Sequence, residues 1–251
     1  LPTVTPARHM NHPPMQIRSP AAAREATELE IISATLPLEN ARVLELGCGR
    51  AWMTRRIAED FAVARLVATE VDRVQHDKNL RIADLPLVEF RYGGAEAIDL
   101  PDASIDVVLM LKSLHHVPGP LMAQALGEIR RVLVPGGLAY ISEPVYAGAF
   151  NNILRLFNDE RQVREAAFAA VVDAVESGRF ELAAEIFFDA PGHYADWQDF
   201  EDRMLKVTHT DHRIDAALHT RIKAAFESHL GPDGASFLRP SRVDLLRKPA
   251  D

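Results

Sequence analysis

Three groups of residues in this 251-residue chain have types and spacings that could do chemistry. The first is the run Val43-Leu44-Glu45-Leu46-Gly47-Cys48-Gly49. Glycines at 47 and 49 let the backbone turn sharply and admit a ligand with no Cβ in the way, while a helix predicted over 51–60 points free N–H groups at the same place. Glu45 narrows the ligand, because a carboxylate there repels a pyrophosphate but holds an ammonium through a charge-assisted hydrogen bond. Cys48 fits as a small residue in a tight turn, since no neighbouring base marks it as a nucleophile. The second group is Glu70, about 20 residues beyond Gly49, the distance at which doubly wound nucleotide folds set a carboxylate against ribose hydroxyls. The third is His115 and His116, together with Glu143 at the tip of a later strand. Histidine has the pKa for general acid–base work, although paired histidines here also suit the start of the following helix.

Two further features are weaker. The stretch His209-Thr210-Asp211-His212 places ligands at helix spacing, but a third and fourth donor are missing, so no metal is expected. The run from Arg239 to Lys248 is locally basic and reads as a solvated strand end.

The elements that must position these residues alternate strictly. Short apolar strands are predicted over 43–46, 65–69, 88–92, 105–111 and 138–142, with helices between them, including one after Asp72 and one over 121–132. Such alternation means a parallel sheet with right-handed crossovers and a ligand site along the carboxyl ends of the strands. Beyond Pro144 the rhythm changes. A long helix over 159–176, with Leu156, Val163, Ala167, Val171 and Val175 as its apolar stripe, reads as an inserted cover that acts as a lid or a dimer surface. A strand over 182–188, helices over 197–207 and 215–229, and a last strand over 237–246 complete the chain. One domain is expected. It comprises an arm at 1–20 with five prolines, a cofactor-binding core at 21–145, a helical cover at 146–180 and a C-terminal part at 181–251. The segment 21–36 is predicted helical with Glu25, Glu28 and Glu30 facing out.

Composition excludes several classes. A net charge of -8 argues against a broad nucleic-acid footprint. A single cysteine allows no internal disulfide, and no stretch is long and apolar enough to span a membrane or to act as a signal peptide, so a cytoplasmic protein is expected. Leu1 in place of Met reads as a trimmed end.

Five stretches in order resemble the class I S-adenosylmethionine-dependent methyltransferases, in the small-molecule branch called methyltransferase type 11. They are Val43 to Gly49, Ala68-Thr69-Glu70-Val71-Asp72, Gly93-Gly94-Ala95-Glu96, Ile105 to His116, and Arg131 to Gly137, within roughly residues 40–145. The resemblance implies a Rossmann-like, doubly wound, mostly parallel sheet of seven strands with helices on both faces, the last strand antiparallel and a helical cover after the fifth. It implies that Glu45, Gly47, Cys48 and Gly49 serve the methionine end of the cofactor and that Glu70 and Val71 serve the ribose. Gly94, Ala95 and Glu96 would line the adenine, and Leu111 and Lys112 would lie beside the sulfonium. Gly94 stands where many members carry an aspartate toward the adenine amino group, so either Glu96 takes over or backbone atoms suffice. Ala51 stands where many have a third glycine.

The expected function is methyl transfer from S-adenosyl-L-methionine, with S-adenosyl-L-homocysteine as product, to a small-molecule acceptor. His116, His115 or Glu143 would be the base, if one is used, and Tyr146, Phe150, Phe157 and Trp197 the apolar walls. A homodimer is possible. The alternatives are a regulatory or partner subunit that binds the cofactor without chemistry, and an NAD(P)-dependent oxidoreductase. Trp52 in the third glycine position of the dinucleotide fingerprint and Glu45 beside the pyrophosphate count against the last.

Overall fold

The computed structural model describes residues 14–19, 23–206 and 213–250. Most of the proline-rich arm and the His209 to His212 stretch lie outside the described residues.

A two-residue edge strand, β1 (Arg24–Glu25), leads into α1 (Glu28–Thr35). Thr27 and Glu30 cap α1 reciprocally, the Thr27 hydroxyl accepting the Glu30 N–H and the Glu30 carboxylate accepting the Thr27 N–H at 2.7 Å. The helix starts later than predicted because Arg24 and Glu25 pair with the sheet edge instead. Then come β2 (Arg42–Leu46), α2 (Trp52–Asp60), β3 (Arg65–Glu70), α3 (Arg73–Asn79), β4 (Val88–Tyr92) and β5 (Ile105–Leu111). A single 3-10 turn at Leu114–His116 precedes α4 (Gly119–Val132) and β6 (Leu133–Pro144). The chain finishes with α5 (Gly148–Leu154), α6 (Arg161–Glu176), β7 (Glu181–Tyr194), α7 (Trp197–Met204), α8 (Ala216–Glu227) and β8 (Ala235–Arg247).

Strand order is β1-β7-β8-β6-β5-β2-β3-β4, and β8 alone runs against its neighbours. The sheet therefore has eight strands among the described residues where seven were expected, the extra one being β1. Strand order reverses between β2 and β5, so crossovers leave in opposite directions and open a crevice at the carboxyl ends of these two strands. One face of the sheet is covered by α1 and α2 through Ile31, Ile32 and Ile57, the other by α4 and α6 through Leu126, Ile129 and Val171. From Val107 to Met110, β5 is buried on both faces, as an unbroken apolar run requires.

The expected cover at 146–180 divides in two. α6 is part of the main core, where Ala167, Val171 and Ala174 pack, while Val163 from the predicted stripe is exposed and Arg164 is buried instead. The second cluster is built on a ribbon. β7 and β8 stay paired from Asp189↔Pro240 to Tyr194↔Ala235, beyond the last β6 partner, Pro144↔Ser241. Tyr194, Ala235 and Phe237 of this extension bury Ile153 of α5, Phe200 of α7, and Ile222 and Phe226 of α8.

Two charged positions also differ from expectation. Glu28 is buried rather than facing out, and Arg242, in the run expected to be solvated, is 3% exposed with its guanidinium 2.9 Å from Asp244. No helix among the described residues is long and apolar enough to cross a membrane.

Ala51, just before α2, has φ of 58°, a left-handed conformation that a Cβ disfavours. Replacing Ala51 by Gly relieves that strain and adds flexibility to the unfolded chain, with a net gain of about 0.5–1 kcal/mol expected. Urea unfolding checks this: a variant no more stable than the parent would contradict it.

Candidate cofactor site

β2 delivers Glu45 and the glycine turn to the crevice, and the neighbouring tip of β3 holds the turn in place. Thr69 accepts the N–H groups of Gly47 and Cys48 at 3.0 and 2.9 Å. Gly47 has φ of 76°, and a Cβ there would lie 2.9 Å from Cβ of Ser113. That close approach explains the glycine and sets the end of β5 directly against the turn. Gly49 is also left-handed, at 53°, with open space where a side chain would project. The first turn of α2 has no side-chain cap, so its N–H groups stay available to a ligand.

The two carboxylates stand on either side. Glu45 is 2% exposed and accepts a hydrogen bond from the Thr54 hydroxyl at 2.6 Å. Burial pushes its carboxyl up to about 7, with Glu70 adding to the rise and Thr54 opposing it. Glu70 accepts the Gly49 N–H with one oxygen and those of Val71 and Asp72 with the other, all at 2.8 Å. Asn79, which carried no signal in the sequence, donates to the Gly49 carbonyl at 2.8 Å and to Cys48. Burial, with Glu45 and Glu70 adding to it, raises the Cys48 thiol far above the usual range, which makes it inert as a nucleophile.

Gly94 and Glu96, both expected near an adenine, lie against each other. A Cβ on Gly94 would collide with the Glu96 carboxylate, which therefore occupies the space an aspartate side chain at 94 would take. Ala95 is buried beside it, and Val71 is exposed at the rim. A cavity of about 280 Å³ adjoins Gly94, lined among others by Thr69, His76, Phe90 and Tyr92. The Thr69 hydroxyl and His76 Nδ1 are buried without hydrogen-bond partners, polar atoms in a wall that suits the edge of a heteroaromatic ring.

The acid–base candidates fare differently. His115 Nδ1 makes a buried short contact with Glu143, whose other oxygen accepts the N–H groups of Leu114 and His115 at 3.0 and 3.3 Å. His115 Nε2 faces Glu160 at 3.9 Å. Both side chains are thus engaged inside the protein, fastening the 3-10 turn to β6 and to the segment before α6, and only His116 of the three is exposed. His115, His116 and Glu160 bring possible metal-binding atoms within 4.8 Å of one another, but the Arg164 guanidinium already lies 2.5 Å from Glu160. Phe150, Phe157 and Trp197 belong to the aromatic cluster of the cover, and Tyr146 lies under the Arg161 guanidinium. Leu111 packs into the core and Lys112 turns toward α1.

Residues 44–141 match the family model for a methyltransferase domain. Within those bounds the chain resembles a class I S-adenosylmethionine-dependent methyltransferase domain. A probable S-adenosylmethionine-dependent methyltransferase of Mycolicibacterium smegmatis is 31% identical to this chain over 145 residues, 56% of this chain and 52% of that protein. The 27-O-demethylrifamycin SV methyltransferase of Amycolatopsis mediterranei is 34% identical over 123 residues, 47% of this chain and 44% of that one. The chain thus spans about half the length of the curated relatives it matches. Among solved structures, a putative methyltransferase from Bacillus halodurans superposes with a TM-score of 0.62 at 18% identity, covering 88% of this chain and 99% of that one. The cyclase SpnF superposes with a TM-score of 0.55 at 22% identity, covering 88% of this chain and 79% of that one. Both likenesses concern the fold, and the second shows that a methyltransferase-like fold can belong to a protein named for other chemistry.

An ammonium seated at Glu45 binds the ionised carboxylate. Below about 7 the empty protein holds Glu45 protonated and must lose that proton on binding. Affinity for S-adenosylhomocysteine should therefore fall by up to about tenfold per pH unit below 7 and level off above it. Calorimetric titration between roughly pH 5.5 and 8 measures this. Glu45→Gln should bind more weakly, with a flat profile; a sloping profile in that variant would place the titration elsewhere.

Proposed function

We propose that the protein transfers a methyl group from S-adenosylmethionine to a small-molecule acceptor by in-line displacement. One observation carries the reading: the carboxylates of Glu45 and Glu70 flank a turn whose glycine at 47 has no room for a side chain. Glu45 and the N–H groups at the start of α2 suit the two charged ends of an amino acid, ammonium and carboxylate respectively. Glu70 suits a pair of ribose hydroxyls, and Glu96, lying over Gly94, suits the adenine amino group.

Bound there, the cofactor supplies a methyl carbon made electrophilic by its sulfonium. The chain's own contribution is alignment and exclusion of water. The ribbon of β7 and β8 and its aromatic cluster stand over the carboxyl ends of the strands on the acceptor side, with Phe150 and Trp197 as apolar wall. α6 buries Ala167, Val171 and Ala174 in the core, so those residues are not available to an interface between two copies.

The runner-up is a subunit that binds the cofactor without chemistry; its support is the engagement of His115 and Glu143 with each other. Calorimetry with S-adenosylhomocysteine and NADH tests the cofactor, and methyl release from labelled S-adenosylmethionine over a metabolite panel separates enzyme from binder. Binding of S-adenosylhomocysteine and not NADH is expected. Glu70→Ala should weaken it by about 10–100-fold through loss of charge-assisted hydrogen bonds. Retention of full affinity in that variant would remove the ribose assignment, and NADH binding alone would remove the whole reading.

A further inference from the structure

The tip of β5 carries a lysine in a conformation that lysine avoids. Lys112 has φ of 57°, and its N–H is held at 2.7 Å by the Ser142 carbonyl. Its neighbour Ser113 closes against Gly47, so Lys112 stands one residue from the floor of the cofactor site. Strain at a non-glycine residue persists where surrounding structure enforces it, and it concentrates where a side chain has a task.

The left-handed turn aims the Lys112 side chain toward α1. Its Nζ lies 3.8 Å from Oε2 of Glu28, close enough to feel the charge and too far for a hydrogen bond. Glu28 is itself only 9% exposed. Its Oε1 accepts the Tyr140 hydroxyl at 2.8 Å, while Oε2 is buried with no hydrogen-bond partner. A buried carboxylate oxygen left in this state is costly unless something donates to it. The Lys112 side chain is 42% exposed, so its amine is open to solvent on one side while it faces Glu28 on the other.

We propose that Lys112, backed by Glu28, takes the proton from an acceptor that enters as a neutral hydroxyl, an alcohol or a phenol, so that the reaction is an O-methylation. The proposal rests on the methyl-transfer reading above. The acceptor O–H proton passes to the Lys112 amine as the oxygen takes the methyl, the electron pair of the broken C–S bond staying with sulfur. The new ammonium then faces the Glu28 oxygen that lacks a hydrogen bond, and its extra proton leaves to solvent, to which the lysine side chain is open. A hydroxyl needs such a group because it is a poor nucleophile until its proton departs, whereas a neutral amine attacks with its lone pair and loses its proton afterwards.

Burial and the neighbouring carboxylates act on the Lys112 ammonium in opposite senses, with burial the larger. Burial pulls the Lys112 ammonium below the ordinary lysine value of 10.5; Glu28 opposes this, Arg239 of β8 adds to it and Glu143 of β6 opposes it. Because the side chain is partly open, solvent moderates all four effects. Tyr140, also on β6, faces the pair only through its hydrogen bond to Glu28.

Two measurements decide the matter. Competitive acetylation across pH, read by mass spectrometry at Lys112, needs no acceptor. Its midpoint should fall below 10.5 in the intact protein and lower still in Glu28→Gln. An ordinary midpoint, or one unmoved by that substitution, overturns the proposal. Methyl transfer is then followed over a panel of simple phenols and alcohols and a matched panel of amines. Lys112→Met should lose hydroxyl methylation by about 100-fold or more. Its affinity for S-adenosylhomocysteine should stay within about threefold, since only the backbone of residue 112 borders that site. Transfer to amines alone, transfer to neither panel by a protein that binds S-adenosylhomocysteine, or loss on His116→Asn with Lys112→Met still active, each overturns it. Failure of the unaltered protein to bind S-adenosylhomocysteine instead removes the reading on which it rests.

Discussion

The Glu70 carboxylate accepts backbone N–H groups from two sides at once, that of Gly49 in the turn after β2 and those of Val71 and Asp72 at the start of its own loop. One side chain thereby joins the tips of adjacent strands across the crevice. Hydrogen bonds from N–H to a carboxylate are among the strong ones, and these lie in a largely buried setting where water competes little. The left-handed conformations at Gly47, Gly49 and Ala51 are tolerable because this clasp, with Asn79 on the Gly49 carbonyl, over-determines the turn. Glu45 is then held under the turn against Thr54, poorly solvated and ready for a cation.

Much of this was legible in the sequence, for identifiable reasons. The glycines and acids at 45 to 49 and at 70 are local signals whose spacing follows from the geometry of a strand, a turn and a helix. Asp72 declared itself as a helix cap and is one, accepting the N–H groups of Val74 and Gln75. The buried run at 107–110 is apolar throughout. Whether Glu96 or backbone atoms replace an aspartate at 94 stood open in the sequence; the structure adds that the Glu96 carboxylate lies against the Gly94 backbone.

What the sequence concealed depended on contacts between distant segments. Glu28 looked like one of three outward acids, because a helix pattern does not say that Tyr140, 112 residues away, will donate to it. Arg242 and Asp244 alternate along β8 as solvent-facing charges would, yet α6 covers that face and the two pair with each other. The histidines at 115 and 116 were indistinguishable as text; the first is buried against Glu143 and near Glu160, the second is exposed. The resemblance placed Lys112 beside the sulfonium, and its left-handed backbone, which sets the side chain near Glu28, has no sequence signature because lysine rarely adopts it.

The ribbon of β7 and β8 carries one more implication. Its six outer residue pairs continue the same ladder that runs through the sheet, from Asp189↔Pro240 to Tyr194↔Ala235, and the aromatic rings of α5, α7 and α8 are packed onto that extension. A roof cantilevered from its own floor cannot swing on a hinge without breaking backbone hydrogen bonds in series. The aromatic surface it carries beyond the strand ends is therefore a fixed shape rather than a movable flap.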